Sequence, residues 1–372
     1  MKKRILITGG AGFIGSHLAD ELIAGGYSVR ALDNLSCQVH GKEARRPDYL
    51  NPEVELIIGD VRDPAAVLKA LRGMEAVFHL AACVGVGQSM YEIEKYTSTN
   101  NLGTAVLLEA LIKNPVERLV VASSMSVYGE GLYRTAGGTV CHVPDRTIEQ
   151  LKRGRWEISG PDGEIMEPVP TPEWKPPSLA SVYALSKYHQ ERTCFLIGRA
   201  YGISTVALRF FNVFGSRQAL SNPYTGVLAI FASRILNGNP PLIYEDGGQR
   251  RDFVSVHDVA KACLLALEVP GASGMVFNIG SGRSRTIGSI AESMASLLGM
   301  DSLKPFITHK YRVGDIRHCF ADISLAADVL GYRPEVEFEQ GLVELAAWLE
   351  RQEPADLFSK ATTELAARRL TV

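Results

Sequence analysis

Residues 4–15 of the chain read Arg-Ile-Leu-Ile-Thr-Gly-Gly-Ala-Gly-Phe-Ile-Gly. The apolar run at residues 4–8 predicts a buried strand, and the run at residues 14–24 predicts a helix. The glycines between them have the spacing Gly-x-x-Gly-x-x-Gly and are Gly9, Gly12 and Gly15. Between a strand and a helix, such glycines permit a tight turn, the close approach of a pyrophosphate and packing of the helix on the sheet. We therefore expect a dinucleotide-binding unit at the start of the chain.

Short apolar runs continue to alternate with longer amphipathic runs after residue 24. This alternation predicts a parallel sheet with helices on both faces. The fold class that we expect is α/β, a doubly wound Rossmann sheet followed by a smaller C-terminal substrate-binding lobe. The predicted strands are residues 4–8, 28–33, 54–59, 76–80, 119–123 and 205–208, and the predicted helices are residues 14–24, 65–71, 100–112 and 181–201.

The chain divides into a Rossmann domain, a smaller lobe and a tail. The Rossmann domain is predicted at residues 1–209, with a return at 252–279, and the smaller lobe at 210–251 and 280–352. Residues 131–177 are rich in Gly, Pro and charged residues without a clear period, and they are too long for an ordinary connection. We interpret them as an insertion. Residues 353–372 form a C-terminal tail.

The composition excludes several classes of protein. The chain has 372 residues, of which 46% are hydrophobic and 22% charged, and its formal net charge is −2. It has neither the basic excess typical of nucleic-acid binding nor the polybasic or long apolar segments typical of membrane association. The first apolar run ends at Thr8, which is far short of a signal-peptide core.

Cysteine usage indicates the compartment and argues against a metal site. The 6 cysteines are scattered singly along the chain, which is typical of reduced thiols in a cytoplasmic protein. Cys141 and His142 in the insertion are adjacent, but zinc needs about four ligands and no second cysteine pair occurs nearby. We therefore expect no metal site.

Two acidic residues follow predicted strands on the cofactor side. Asp33 ends the second strand, where a carboxylate can bind both ribose hydroxyls of NAD and would repel the additional phosphate of NADP. Asp60 follows the third strand and can reach the adenine. The predicted cofactor is therefore NAD.

Tyr183 and Lys187 are four residues apart on a predicted helix, so their side chains lie on the same face. A phenol has an unperturbed pKa near 10. A neighbouring ammonium favours the phenolate, so we expect Lys187 to bring the pKa of Tyr183 toward a useful range for a base. The same spacing is common on amphipathic helices, so Tyr183 and Lys187 indicate a catalytic site only in combination with the glycine loop.

The order of several motifs resembles that of the extended short-chain dehydrogenase/reductase family, in particular its sugar-nucleotide epimerases and dehydratases. The resemblance covers nearly the whole chain. The motifs that carry it are Thr8 to Gly15, Asp33-Asn34-Leu35, Gly59-Asp60-Val61, His79-Leu80-Ala81-Ala82, Ser123 to Gly129, Tyr183 to Lys187, Leu208 to Gly215, Arg250 to Val254, Asn278 to Gly282 and Arg312-Val313-Gly314-Asp315.

This resemblance implies roles for individual residues. The implied catalytic residues are Ser124, which hydrogen-bonds the reacting oxygen, Tyr183, which acts as base or acid, and Lys187, which also binds the nicotinamide ribose. The implied cofactor-binding residues are Gly9, Gly12, Phe13, Ile14, Gly15, Asp33, Asn34, Asp60, Val61, Leu80, Ala81, Ala82, Asn100, Ser123, Tyr183 and Lys187. The implied substrate-binding residues are Ser124, Ser126, Asn212, Arg251, Arg312, Asp315 and Cys319.

The two residues after Ser124 separate the reactions of the family. Its 4,6-dehydratases have Asp-Glu at these positions and its decarboxylases usually keep the Glu, whereas this chain has Met125-Ser126. The resemblance therefore implies a 4-epimerase that acts through a 4-keto sugar. A 4-ketosugar reductase uses the same Ser-Tyr-Lys set and remains an alternative. A non-enzymatic protein on the same fold typically lacks the Tyr or the Lys.

The substrate that the resemblance implies is a nucleotide-diphosphate hexose. Cys319 matches a position that limits the size of the sugar in UDP-galactose 4-epimerases, although it is equally well a packing cysteine. Residues 38–41, the insertion and residues 217–223 are similar to dTDP-L-rhamnose 4-epimerases. Both dTDP- and UDP-sugars therefore stay open. We expect the insertion to form a flap beside the sugar, and a homodimer built from the helices at residues 100–112 and 181–201.

Overall fold

The computed structural model describes residues 3–160, 162–219, 226–312, 314–350, 364, 367–368 and 370–371. The strands, in chain order, are β1 (Arg4–Thr8), β2 (Ser28–Asp33), β3 (Glu55–Ile58), β4 (Ala76–His79), β5 (Arg118–Ser124), β6 (Leu132–Arg134), β7 (Val140–His142), β8 (Glu167–Val169), β9 (Ser204–Phe210), β10 (Asn212–Phe214), β11 (Leu242–Ile243), β12 (Arg250–Ser255), β13 (Val276–Ile279), β14 (Ser284–Thr286), β15 (Phe306–Ile307) and β16 (His318–Cys319).

The helices, in chain order, are α1 (Phe13–Ala24), α2 (Cys37–His40), α3 (Pro64–Leu71), α4 (Val86–Ser89), α5 (Ile93–Tyr96), α6 (Gly103–Lys113), α7 (Ile148–Lys152), α8 (Val182–Tyr201), α9 (Val227–Leu236), α10 (Val256–Glu268), α11 (Ile287–Leu297), α12 (Ser324–Leu330) and α13 (Phe338–Leu349). A π-helical segment, Thr97–Leu102, joins α5 to α6, and 3₁₀ turns lie at Met125–Tyr128 and Pro270–Ala272. Of the helices described, none is long and apolar enough to cross a membrane.

Seven strands form one parallel sheet in the order β3-β2-β1-β4-β5-β9-β13. Residues alternate between its faces, so Ile5 and Ile7 pack with α1 and α10, while Leu6 packs with α3, α6 and α8. The strand order reverses between β1 and β4, which opens a crevice at the carboxyl ends of the strands. The predicted doubly wound Rossmann sheet is confirmed.

The second lobe consists of smaller sheets and three helices. Strand β12 pairs with β10, β14 and β16, and β11 pairs with β15. Helices α9, α11 and α13 cover an apolar cluster that contains Phe214, Phe253 and Phe338. Strand β13, which follows α10, returns to the large sheet beside β9. The second lobe thus faces the carboxyl ends of the large sheet.

The structure differs from the sequence-based prediction in the insertion and in one helix. The insertion contains the antiparallel sheet β7-β6-β8 and helix α7, which were not predicted because strands of three residues have no detectable period. The helix predicted at residues 100–112 begins earlier, at Ile93, and passes through the π-helical segment.

The tail predicted at residues 353–372 lies mostly outside the described residues. Among those described there, Glu364 accepts a hydrogen bond from the hydroxyl of Tyr91 at 3.1 Å, and Thr371 forms an isolated antiparallel bridge with Arg312. The described part of the tail therefore contacts both sides of the molecule near the crevice.

Candidate active site

The glycine loop brings the backbone to the mouth of the crevice. Helix α1 begins directly after Gly12, which makes no side-chain cap hydrogen bond, so the first N–H groups are available to an anion. Gly9 has φ +72°, and a Cβ there would lie 2.9 Å from the backbone N of Ala81. A Cβ on Gly15 would lie 2.4 Å from the carbonyl oxygen of Gly9. The loop therefore fits the pyrophosphate of a dinucleotide.

Asp33 lies at the end of β2 beside this loop. Its Oδ2 accepts the N–H of Ala11 at 3.0 Å, and its Oδ1 accepts the N–H of Leu35 at 2.9 Å. These bonds fix the carboxylate in the wall of the crevice and leave lone pairs for two ribose hydroxyls. The arrangement fits NAD, because the carboxylate would repel a 2′-phosphate.

Asp60 lies after β3 and is ionised. Side-chain hydrogen bonds from Arg62, and a further one from Asn34, lower the pKa of Asp60 to about 2. Asp60 can therefore act as a hydrogen-bond acceptor for an adenine at any ordinary pH.

The predicted site residues surround one cleft of about 1050 Å³ between the large sheet and the second lobe. This volume lies at the upper end of the range for small-molecule sites. The predicted residues that line the cleft are Gly9, Gly12, Phe13, Ile14, Gly15, Asp33, Asn34, Asp60, Val61, Leu80, Ala81, Ala82, Ser123, Ser124, Ser126, Tyr183, Lys187, Asn212, Arg251, Arg312 and Asp315. Asn100 and Cys319 do not line it.

Ser124 and Tyr183 both line this cleft, and the Ser124 hydroxyl is close enough to the phenol to lower its pKa. Ser124 ends β5, and Tyr183 lies in the first turn of α8, which packs against β5 and is capped by Ser181. The N–H and the hydroxyl of Ser126 both donate to Ser124 Oγ, at 3.2 and 3.0 Å. The proton of Ser124 is therefore directed toward Tyr183 or toward a substrate oxygen.

Burial determines the direction of the pKa shift of Tyr183. Burial raises the pKa of Tyr183, and the neighbouring Ser124 hydroxyl opposes this only in part. The ammonium of Lys187 donates to Gln190 Oε1 at 2.9 Å, and burial lowers the pKa of Lys187 to about 8. In this arrangement the Lys187 ammonium is bonded to Gln190 and does not offset the desolvation of the phenol, so the expected lowering of the Tyr183 pKa by Lys187 stays a prediction.

Asn100 supports the cleft from behind. Its Oδ1 accepts the N–H of Cys83 at 2.7 Å, and its Nδ2 donates to the carbonyl oxygen of Cys83 at 3.0 Å and to Ser186 Oγ at 2.9 Å. Cys83 lines the cleft, and Ser186 directly precedes Lys187 on α8. The π-helical segment thus places Asn100 where it joins the cofactor wall to the catalytic helix.

The second lobe contributes two cations to the cleft. Arg251 lies 3.7 Å from the carboxylate of Asp315 and donates to neighbouring carbonyl oxygens. The guanidinium of Arg312 stacks 4.4 Å from the ring centroid of Tyr244, and its buried Nε has no hydrogen-bond partner among the described residues. Asn212 donates to Met125 Sδ at 3.4 Å. This side of the cleft is therefore suited to a dianionic diphosphate.

Cys319 lies behind the cleft wall. It is buried with Met125, Phe211 and Ala321, and its Sγ is 3.9 Å from Thr171 Oγ1. Its predicted contact with the sugar is thus not reproduced by the geometry, which favours the packing role. The short strand β16 turns its side chain inward.

Sequence reasoning missed the apolar wall that the second lobe adds to the cleft. The residues of this wall belong to no recognisable motif. The one sequence feature that could have indicated them is the apolar run at residues 241–244, a few positions before Gln249. The missed residues include Val227, Ile230, Leu242, Ile243, Tyr244 and Ile287. The described residues contain no group of three His, Cys, Asp or Glu side chains arranged to hold a metal ion.

Comparison with known proteins identifies the family to which the chain belongs. Residues 5–148 and 157–280 match the family described as NAD dependent epimerase/dehydratase. The chain is 35% identical over 363 residues to a dTDP-L-rhamnose 4-epimerase of Burkholderia thailandensis, and the alignment covers 94% of this chain and 96% of that protein.

Two solved structures are similar over almost their whole length. A UDP-glucose 4-epimerase of Thermotoga maritima with UDP-glucose has a TM-score of 0.77 and 34% identity, covering 94% of this chain and 99% of that chain. A UDP-glucose 4-epimerase of Thermus thermophilus in complex with NAD has a TM-score of 0.74 and 31% identity, covering 94% and 100%. The predicted cofactor, NAD, is the one that the family uses. With its glycine loop, Asp33 and the Ser124–Tyr183–Lys187 set in one cleft, the chain belongs to the NAD dependent epimerase/dehydratase family of enzymes.

Proposed function

We propose that the protein is an NAD-dependent 4-epimerase of a nucleotide-diphosphate hexose, with a dTDP- or UDP-sugar as substrate. The observation that carries the proposal is that Ser124, Tyr183 and Lys187 line one cleft together with the glycine loop, Arg251 and Arg312. Met125 and Ser126 follow Ser124, and neither can act as the additional acid and base that dehydration requires.

The second lobe holds the substrate in this mechanism. Arg251 and Arg312 bind the two phosphates, because guanidinium groups match phosphate oxygens in charge and geometry. Asn212 donates to the linkage from its place beside Met125, and Asp315 contacts the nucleoside. Holding the diphosphate leaves the sugar free to turn about its linkage while the nucleotide stays bound.

Tyr183 carries the proton in this mechanism. The phenolate takes the proton of the C4 hydroxyl while Ser124 hydrogen-bonds the same oxygen. NAD, when bound, accepts the hydride from C4 and returns it, so it is regenerated in each cycle. The resulting 4-keto sugar turns, and Tyr183 returns the proton to the C4 oxygen of the opposite epimer. Since burial raises the pKa of Tyr183, the phenolate requires the Lys187 ammonium to move from Gln190 toward it.

The raised pKa of Tyr183 also favours a second candidate, a 4-ketosugar reductase. A protonated phenol is the form that donates a proton to a keto oxygen after a single hydride transfer. Such an enzyme would release its oxidised cofactor after each turnover. It would share all three catalytic residues with the epimerase.

Denaturing the purified protein separates the two candidates. An epimerase is expected to release about one NAD per chain and to interconvert a substrate without added cofactor, because the cofactor is regenerated. UDP-glucose, UDP-N-acetylglucosamine and dTDP-L-rhamnose are the substrates to compare. Absence of released NAD, together with activity only on added NADH or NADPH, would contradict the epimerase.

We also propose a homodimer that forms through α6 and α8, which lie side by side. Leu185 and Leu196 are exposed on one face of α8, and Leu102 is exposed at the start of α6. Pairing these helices with those of a second copy would bury the leucines in a four-helix bundle.

Light scattering at micromolar concentration is expected to give twice the mass of one chain, and Leu196→Glu is expected to halve this mass. Leu297 on α11, which is 36% exposed against 64% for Leu196, provides the control variant, Leu297→Glu. A wild-type protein that is monomeric under these conditions refutes the dimer.

We propose that the two lobes bind different ligands, with the domain boundaries predicted from the sequence. Residues 1–209 with 252–279 bind NAD, and residues 210–251 with 280–352 bind the nucleotide sugar. The cytoplasm is the proposed compartment, because all 6 cysteines are unpaired thiols, as is usual in a reducing environment.

A further inference from the structure

We propose that the insertion, residues 131–177, is a positioning element of the substrate site. Arg146 and Glu157 of the insertion bond the segment 315–318 on the side that faces away from the cleft. The segment 315–318 in turn positions Arg251 to bind the substrate diphosphate. None of the insertion residues that the structure describes lines the cleft, so the insertion acts through the second lobe rather than as the expected flap. The proposal rests on the proposed function, since its ligand is a nucleotide diphosphate.

On the cleft side, backbone carbonyls of this segment fix the guanidinium of Arg251. Nη1 donates to the carbonyl oxygens of Arg250 at 2.9 Å and Arg317 at 2.8 Å, and Nη2 donates to that of Ile316 at 2.6 Å. A guanidinium has five N–H donors, so two stay available to a phosphate. The position of Arg251 in the cleft therefore follows the position of the segment.

On the far side, two carboxylates hold the same segment. Glu130, which directly precedes the insertion, accepts the N–H groups of Arg317 at 2.6 Å and His318 at 3.2 Å. Glu157 accepts from Arg317 Nε at 3.0 Å and lies 3.0 Å from His318 Nε2. Burial lowers the pKa of His318. Its Nδ1 accepts the N–H of Arg250 at 3.0 Å, which leaves Nε2–H to donate to Glu157.

Arg146, in the insertion, bonds both Glu245 and the backbone of the segment 315–318. Its guanidinium bonds both oxygens of Glu245, at 2.8 and 3.0 Å, and also donates to the carbonyl oxygen of Asp315 at 3.0 Å. Its side chain is 1% exposed, and that of Glu245 is 2% exposed. Glu245 also accepts from Arg317 at 3.0 Å. Arg146 therefore connects the insertion, the loop before β12 and the segment that carries Asp315.

Because the charged groups around Arg146 are buried, they stabilise only one position of the segment 315–318. Charged groups removed from water are tolerated only when their partners are correctly placed, so a displaced segment would leave charges unpaired. The exposed pair Arg134–Glu167, at 3.2 Å in the same insertion, lacks this property because surface ion pairs contribute little. It offers a matched control within the same element.

The test measures binding of UDP and dTDP to the full-length protein by calorimetry, together with NAD content and steady-state kinetics. Arg146→Met is expected to weaken nucleotide binding and to raise KM by about 10- to 100-fold, since displacement of a positioning group has effects of this order. The kcat at saturating substrate and the bound NAD are expected to match the wild type. Arg134→Met is expected to change neither affinity nor KM.

Two further variants keep the test decisive if Arg146→Met does not fold. Arg146→Lys keeps the charge and is expected to restore part of the affinity, and Glu157→Gln, whose side chain is partly exposed, is expected to weaken nucleotide binding without loss of NAD. Unchanged nucleotide affinity in the folded variants overturns the proposal, as does a parallel loss of affinity, kcat and NAD, which a general structural role would produce. A wild-type protein that binds neither UDP nor dTDP contradicts the proposed function instead.

Discussion

Tyr183→Phe is expected to lower the kcat of epimerisation by about 10²- to 10⁴-fold, the range that loss of a general acid–base group covers. The substitution removes only the hydroxyl beside Ser124 and keeps the ring that packs against Tyr96. The fold, the bound NAD and the affinity for nucleotide are therefore expected to be retained. The measurement is kcat with the best substrate, together with NAD content after denaturation.

Tyr201→Phe is the matched control for this prediction. Tyr201 ends the same helix and is exposed, so loss of its hydroxyl should leave kcat unchanged. Undiminished epimerisation by Tyr183→Phe would remove Tyr183 from the mechanism. The same result would also contradict the alternative function, a 4-ketosugar reductase, because that enzyme uses the same phenol as its acid.

The kcat is expected to fall as the pH rises through about 8, the pKa to which burial lowers Lys187. The sign follows from the form that the mechanism needs. Below this pKa Lys187 is an ammonium that can favour the phenolate, whereas above it the neutral amine cannot. In the limiting case the decline approaches about tenfold per pH unit. Rates measured from about pH 6 to about pH 10 would reveal it.

Lys187→Met tests whether this titration belongs to Lys187. The variant is expected to lose about 10²- to 10³-fold in kcat, the usual effect of removing one electrostatic contact at the reacting atoms. Its residual rate should no longer decline near pH 8. Lys69→Met on the exposed face of α3 is the control and should keep both the rate and the decline. A wild-type rate that stays level to about pH 10 would separate Lys187 from catalysis.

The sequence predicted the Rossmann half well because its signals are local. The glycine spacing, the apolar strands and Asp33 at the end of β2 each depend on a few neighbouring residues, and the three glycines and Asp33 line the cleft that the structure contains. The parallel order follows from the alternation of strands and helices. Ser124, Tyr183 and Lys187 were found through the resemblance and not through spacing alone.

The remaining features depend on contacts between distant parts of the chain. Strands β6, β7 and β8 are too short to have a period, and two partners of Arg146, Glu245 and Asp315, lie 99 and 169 positions away. The direction of the Tyr183 pKa shift is set by desolvation, which no spacing reveals. Cys319 faces inward because of the way β16 pairs with β12.

The pairing of β13 with β9 has a consequence for how the chain matures during synthesis. β9 emerges from the ribosome well before β13, and the residues between them build much of the second lobe. Until residue 279 is available, the large sheet ends in an unpaired apolar edge, the kind of edge to which other strands can add. The nascent protein therefore cannot complete one lobe before starting the other, and the two acquire their final form together.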